Sequence, residues 1–121
     1  MPDRDERIDL GWDLLEQGES RGALEAAQAL IRENPADGEA AFLAATALIE
    51  MGAHEEAGSR LVALLSVDPD NGPARLTYAG LLYSVSRLDE AEEQVARLPG
   101  ATAGEPYAHW LRGLLNDARG R

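Results

Sequence analysis

Cysteine is absent from the 121 residues, every basic side chain is arginine rather than lysine, and histidine occurs twice. Without cysteine there is no disulfide framework, no thiolate zinc site and no cysteine nucleophile, which fits a reducing compartment. Aromatic residues make up 5%. Long apolar runs are missing too: the longest, 40–49, is about half of what a bilayer span requires. The opening MPDRDERIDL is charged where a signal peptide carries an apolar stretch. The expectation is a soluble, cytoplasmic protein with no membrane partner. Positive charge is scarce, with 11 basic residues against 22 acids and a net charge of -11. Neutralising phosphates takes a basic surface, so the balance argues against nucleic acid, and equally against anionic lipid. The arginine-only basic set, together with abundant alanine, points to the codon bias of a GC-rich bacterial genome.

What is present is ordinary globular composition, 45% hydrophobic and 27% charged, which excludes wholesale disorder. A chain of this length is read as one domain, 1–121, able to bury roughly two thirds of its unfolded surface. Its strongest internal signal is a period of 34. Gly11, Ala45 and Ala79 form a column of small residues that Gly113 continues. Further columns are Leu14, Leu48 and Leu82; Gly18, Gly52 and Ser86; Ala23, Ala57 and Ala91; Leu30, Leu64 and Leu98; and Pro35 with Pro69. A period between 20 and 50 residues signals stacked supersecondary units. Within each period the apolar residues follow helical spacing, as in Ala23, Leu24, Ala27, Leu30 and Ile31. Each unit therefore reads as two helices of about 13 residues. A Gly or Ser ends the first helix and a Pro closes the second. Asp37 and Asn71 are candidate N-caps, with Pro73 tolerated in the first turn.

Small residues at Gly11, Ala45 and Ala79 should meet Ala23, Ala57 and Ala91 where paired helices approach closely, so these columns are structural. Pro99-Gly100 should cut the sixth helix short. Residues 105–119 read as a seventh helix with one apolar stripe of Tyr107, Trp110, Leu111, Leu114 and Leu115. Such a helix can cover the exposed end of a stack.

These columns resemble the tetratricopeptide repeat, whose signature is Trp-x2-Leu-Gly-x2-Tyr, then Ala-x3-Phe, then Pro. The first unit matches at Leu10, Gly11, Leu14, Ala23, Ala27 and Pro35. The second matches at Ala45, Leu48, Ala57, Leu61 and Pro69, and the third at Tyr78, Ala79, Leu82, Ala91 and Val95. The departures are Arg7, Ala41 and Arg75 at the leading Trp, Ser86 at the turn Gly, and Ala103 where Pro is due. The resemblance implies an all-α, right-handed α-solenoid of helix–turn–helix repeats, seven helices in all. The repeats would span about 4–37, 38–71 and 72–102, and a C-terminal capping helix about 104–119.

The resemblance also implies a concave groove, lined by the first helix of each repeat, that takes a peptide or helix of another protein. Carried over position by position, the groove candidates are Asp5, Ile8, Trp12, Leu15 and Glu16; Glu39, Phe42, Thr46, Ile49 and Glu50; and Leu76, Tyr83 and Ser84, with Gly80 leaving a gap. Ile8, Trp12, Phe42, Ile49, Leu76 and Tyr83 should be half-exposed and flanked by carboxylates, as a rimmed apolar patch is in a binding site. Trp12 or Phe42 packing on a neighbouring repeat, and the final helix folding back into the groove, are the structural alternatives. Relatives that clamp the acidic C-terminus of heat-shock chaperones use Lys, Arg and Asn on these faces, which are missing here, so that clamp is not expected. An acid-rimmed apolar groove suits a basic or amphipathic segment instead.

Catalytic chemistry is thin. His54 and His109 each stand alone, no HExxH appears, and no nucleophile elbow is recognisable. The acids Glu55, Glu56, Asp89, Glu90, Glu92 and Glu93 start second helices, where they favour the dipole and face solvent. No catalytic residue, cofactor or metal is expected. The sequence points to a non-enzymatic adaptor. A homodimeric assembly scaffold, with Trp12, Phe42 and Trp110 at the interface, and an acidic secretion chaperone of the same repeat class are the alternatives.

Overall fold

The computed structural model describes residues 2–121. Among the described residues there are eight helices and no strand: α1 (Arg4–Glu16), α2 (Ser20–Glu33), α3 (Gly38–Glu50), α4 (His54–Val67), α5 (Gly72–Ser84), α6 (Leu88–Ala96), α7 (Gly100–Ala103) and α8 (Pro106–Ala118). α1, α3 and α5 begin at Arg4, Gly38 and Gly72 and end at Glu16, Glu50 and Ser84, so the spacing of the columns is the spacing of the helices.

Local signals set the helix ends. The Asp37 carboxylate accepts a hydrogen bond from the Ala40 N–H at 3.2 Å, and Asn71 Oδ1 accepts one from the Ala74 N–H at 3.1 Å. Each satisfies a first-turn donor that has no partner within the helix. The first helices end in one repeated turn. Gly18, Gly52 and Ser86 adopt left-handed φ values of 79°, 80° and 64°. The N–H of the following residue, Glu19, Ala53 or Arg87, then reaches back to the carbonyl of Leu14, Leu48 or Leu82 at 2.8–2.9 Å. This is the paired-bond C-cap that a left-handed residue permits.

The chain divides into two compact units, one ending at Leu64 and the other starting at Leu65. In the first, α2 packs on both α1 and α3. Its core joins Ile8 and Leu15 to Ala23, Ala27 and Leu30 of α2 and to Ala40, Leu43, Ala44 and Ala47 of α3. Gly11 is buried here, and the atoms nearest to where its Cβ would stand all belong to Leu43 rather than to Ala23. The small residue thus admits the next hairpin's leucine.

In the second unit, α5 packs on α6, and α8 packs on both. Leu76, Ala79 and Leu82 meet Ala91 and Val95, and α8 adds Ala108, Leu111 and Leu115. Two expectations are corrected. There are eight helices rather than seven, because the residues after Pro99 wind into the single turn α7. Thr102 of α7 is buried against Gly72, where a Cβ would overlap it. Arg112 of α8 donates to the Ala103 carbonyl at 2.9 Å and so satisfies the end of α7. The apolar stripe of α8 is also turned from the expected one: Ala108, Leu111 and Leu115 are buried, while Tyr107 and Trp110 are 45% and 56% exposed.

Candidate functional site

The residues carried over as groove candidates divide by burial. Ile8, Leu15 and Leu76 lie in the cores at 3%, 7% and 5% exposure, so they offer no surface to a partner. The expected half-exposure of Ile8 and Leu76 is thereby corrected. Their helices are covered on more than one side, and the strip left in water is narrower than the column pattern suggests. Trp12, Phe42, Thr46, Ile49 and Tyr83 are half-buried, and Asp5, Glu16, Glu39, Glu50 and Ser84 are exposed.

In the first unit the structure brings Trp12 of α1 against Phe42 of α3. Their ring centroids are 5.7 Å apart and the planes are tilted by 52°, an arrangement aromatic quadrupoles favour. The contact between hairpins is therefore real, and both rings keep part of their surface in water. The Thr46 hydroxyl donates to the Phe42 carbonyl at 2.9 Å. It leaves its methyl group rather than its O–H for other contacts.

One cluster of charges lies at the N-terminal ends of α1 and α3. The Arg4 guanidinium forks onto Asp37, with Nε donating to Oδ2 at 2.9 Å and the second nitrogen to Oδ1 at 2.6 Å. Its remaining nitrogen reaches Asp5 at 2.8 Å and Glu39 at 3.1 Å. The paired guanidinium and the Ala40 N–H hold the Asp37 carboxyl below the usual carboxylate range, against the opposing effect of its burial. Arg7 is taken up in an exposed pair with Glu33, at 2.5 Å, and it lowers the Glu33 carboxyl.

In the second unit, Arg75 is buried. It donates to Gln94 Oε1 at 2.5 Å and to the Pro69 carbonyl at 2.9 Å, and its Nε has no partner. Arg75 fills the place of the family's leading Trp and is turned inward, so it cannot clamp a carboxylate on the surface. The Ser84 hydroxyl donates to the Leu81 carbonyl at 2.7 Å. Asp89 and Glu92 do not simply face solvent as expected: Arg119 pairs with both, and Arg121 pairs with Glu92, tying α6 to the end of the chain. An open depression of about 360 Å³ lies beside these pairs, between α6, α7 and α8.

Sequence reasoning offered Trp110 as surface only in the homodimer alternative and left Tyr107 in the apolar stripe of the final helix. Tyr107 and Trp110 stack with centroids 5.4 Å apart and planes at 33°, both rings partly in water. Burial pushes the Tyr107 phenol up from its ordinary value. A signal was available in the numbering, since Trp110 stands 34 residues after Leu76 and 68 after Phe42. His54 and His109 are exposed. Among the described residues no cluster of His, Asp and Glu could hold a metal ion, and no helix is long and apolar enough to cross a membrane.

Hairpins repeating every 34 residues, ended by the same left-handed turn, define a class. A family model for the tetratricopeptide repeat matches residues 8–62 and a second matches 48–115. The chain belongs to the tetratricopeptide repeat family. Proteins of this class are generally protein-interaction modules without catalysis of their own. No curated protein matches the chain. Among solved structures it is similar to residues 41 to the end of MamA from Desulfovibrio magneticus RS-1, at 19% identity and a TM-score of 0.82, covering 93% of this chain and 64% of that one. It is also similar to the type III secretion translocator chaperone SycD of Yersinia enterocolitica, at 17% identity and a TM-score of 0.82, covering 95% and 82%. YrrB, described as having an unusual peptide-binding site, matches at 22% identity and a TM-score of 0.80, covering 94% and 58%. At these identities the likeness is one of fold. The chain spans less than two thirds of the length of the MamA structure.

Proposed function

We propose that this chain is a single-domain, non-enzymatic adaptor of the cytoplasm that takes a segment of another protein on the face of its first helices. The Trp12–Phe42 pair carries the reading. Two aromatic rings meet between successive hairpins and stay partly in water. Exposed Asp5, Glu16, Glu39 and Glu50 stand on the same two helices. Large aromatics surrounded by polar groups are where binding energy concentrates. The net charge of -11 favours a basic or amphipathic segment and disfavours nucleic acid and anionic membrane.

The test is selection from a random-peptide display library on the purified chain. The expected winners are rich in Arg, Lys and large apolar residues, and Trp12→Ala or Phe42→Ala should weaken them by about tenfold or more. Binding that survives both substitutions would show that the site lies elsewhere. Light scattering separates the scaffold alternative: a dimer that Trp12→Ala dissociates without unfolding would put a second copy on this face. A secretion chaperone would instead hold its winners as unfolded segments of a secreted protein.

A further inference from the structure

Tyr107 and Trp110 are not needed to hold α8 in place. The helix is seated by Ala108, Leu111 and Leu115, all at 2% exposure or less. The two rings leave about half of their surface in water while stacked on each other. Their position is tied to α5. The Tyr107 hydroxyl stands where a side chain on Gly80 would begin, so that a Cβ there would overlap it. Gly80 is the gap in the row of groove positions on α5, and Trp110 occupies on α8 the column held by Phe42 on α3. In this unit α8 thus serves as a further first helix, and its aromatic pair continues the row that α5 begins.

Two carboxylates flank the pair along the helix. Glu105 is the N-cap residue of α8. Asp117 lies seven residues beyond Trp110, which is two helical turns along the same face. Both carboxylates are exposed. Neither has an ion-pair partner among the described residues, whereas Asp89, Glu90 and Glu92 do. Arg112, the cation nearest in sequence, is committed to the Ala103 carbonyl. Half-exposed aromatic rings on a helix that also carries unpaired carboxylates attract a cation from outside.

We infer that the Tyr107–Trp110 pair is a docking site for a cationic side chain, arginine above all, on a basic segment of a partner protein. A guanidinium is planar, lies flat on an aromatic face and sheds its water more readily than an ammonium. The inference rests on the adaptor reading and names a contact point for such a partner within the second unit.

The probe is the strongest arginine-containing peptide from the display selection, together with a copy in which each arginine is replaced by citrulline. In the Trp12→Phe variant, Trp110 is the remaining tryptophan, because the chain has two. Its emission should change when the arginine peptide is added and stay constant with the citrulline copy. Trp110→Ala should weaken binding by about tenfold and Trp110→Phe by much less. Circular dichroism should show both variants folded, since the ring is mostly outside the core. If Phe42→Ala abolishes binding while Trp110→Ala leaves it unchanged and Trp110 emission does not respond, this inference falls and the adaptor reading stands. If the selected peptides are neutral or acidic, or none bind, both fall. A dimer of the native chain that Trp110→Ala dissociates would assign the surface to a second copy and overturn the inference.

Discussion

Gly11 lies in the middle of α1, where glycine costs about 1 kcal/mol relative to alanine. Yet a Cβ there would overlap Leu43 Cδ2, so the fully buried Leu43 side chain would have to shift. Gly113 holds the same column position on α8, with nothing within 4 Å of its would-be Cβ. One column therefore gives opposite outcomes. Gly11→Ala should lower stability by about 1 kcal/mol, the overpacking cost less the gain in helix propensity. Gly113→Ala should raise it by about 0.5–1 kcal/mol. Urea midpoints of the two variants check this. Asp37 gives a pH dependence. Its carboxyl is held below the ordinary value of 3.8 by Arg4 and the Ala40 N–H. Its contribution is therefore complete above that value and is lost as pH falls through the lower folded-state value. Asp37→Asn keeps a capping oxygen but loses the ion pair with Arg4. Between neutrality and about pH 3, its thermal midpoint should fall less steeply than that of the parent chain.

The three turns after α1, α3 and α5 share one backbone conformation but not one residue. Gly18 and Gly52 reach positive φ at no steric cost, whereas Ser86 carries a Cβ in the left-handed region, a strain of roughly 1 kcal/mol or more. Ser86→Gly should stabilise by about 0.5–1 kcal/mol and Gly18→Ala should cost about 1 kcal/mol; paired thermal melts decide it. Helix existence was legible because these turn residues, the N-caps Asp37 and Asn71, and the alanine columns all act locally or at fixed spacing. Two features were not. The turn α7 is too short to carry a period, and it exists because Thr102 finds Gly72 and Arg112 caps its end. On α8, the apolar residues spread over nearly half of the circumference. Periodicity could not decide which of them turn inward, and the small Ala108 that marks the buried side carries little signal.

For the molecule as a whole, family membership and the all-α hairpin architecture follow from repeating columns that pattern reading detects well. The candidate site was legible in part. The column logic placed Trp12 and Phe42 on successive first helices, and their 5.7 Å ring contact is the packing of one repeat on the next that stood beside groove exposure as the structural alternative. It mistook Ile8 and Leu76 for surface, because residue spacing fixes direction around a helix axis but not how far a neighbour reaches over it. It offered Trp110 only to the homodimer alternative and left it out of the groove, because its apolar character also read as part of the stripe that covers the stack. A binding face centred on the aromatic pair of α1 and α3 is the claim on which the functional account depends. Amide NMR chemical-shift mapping with a display-selected peptide tests it most directly. The expected result is that perturbations concentrate on α1 and α3 around Trp12 and Phe42 and vanish in Phe42→Ala. Perturbations confined to the second helices α2, α4 and α6, or a pattern unchanged by Phe42→Ala, would contradict it.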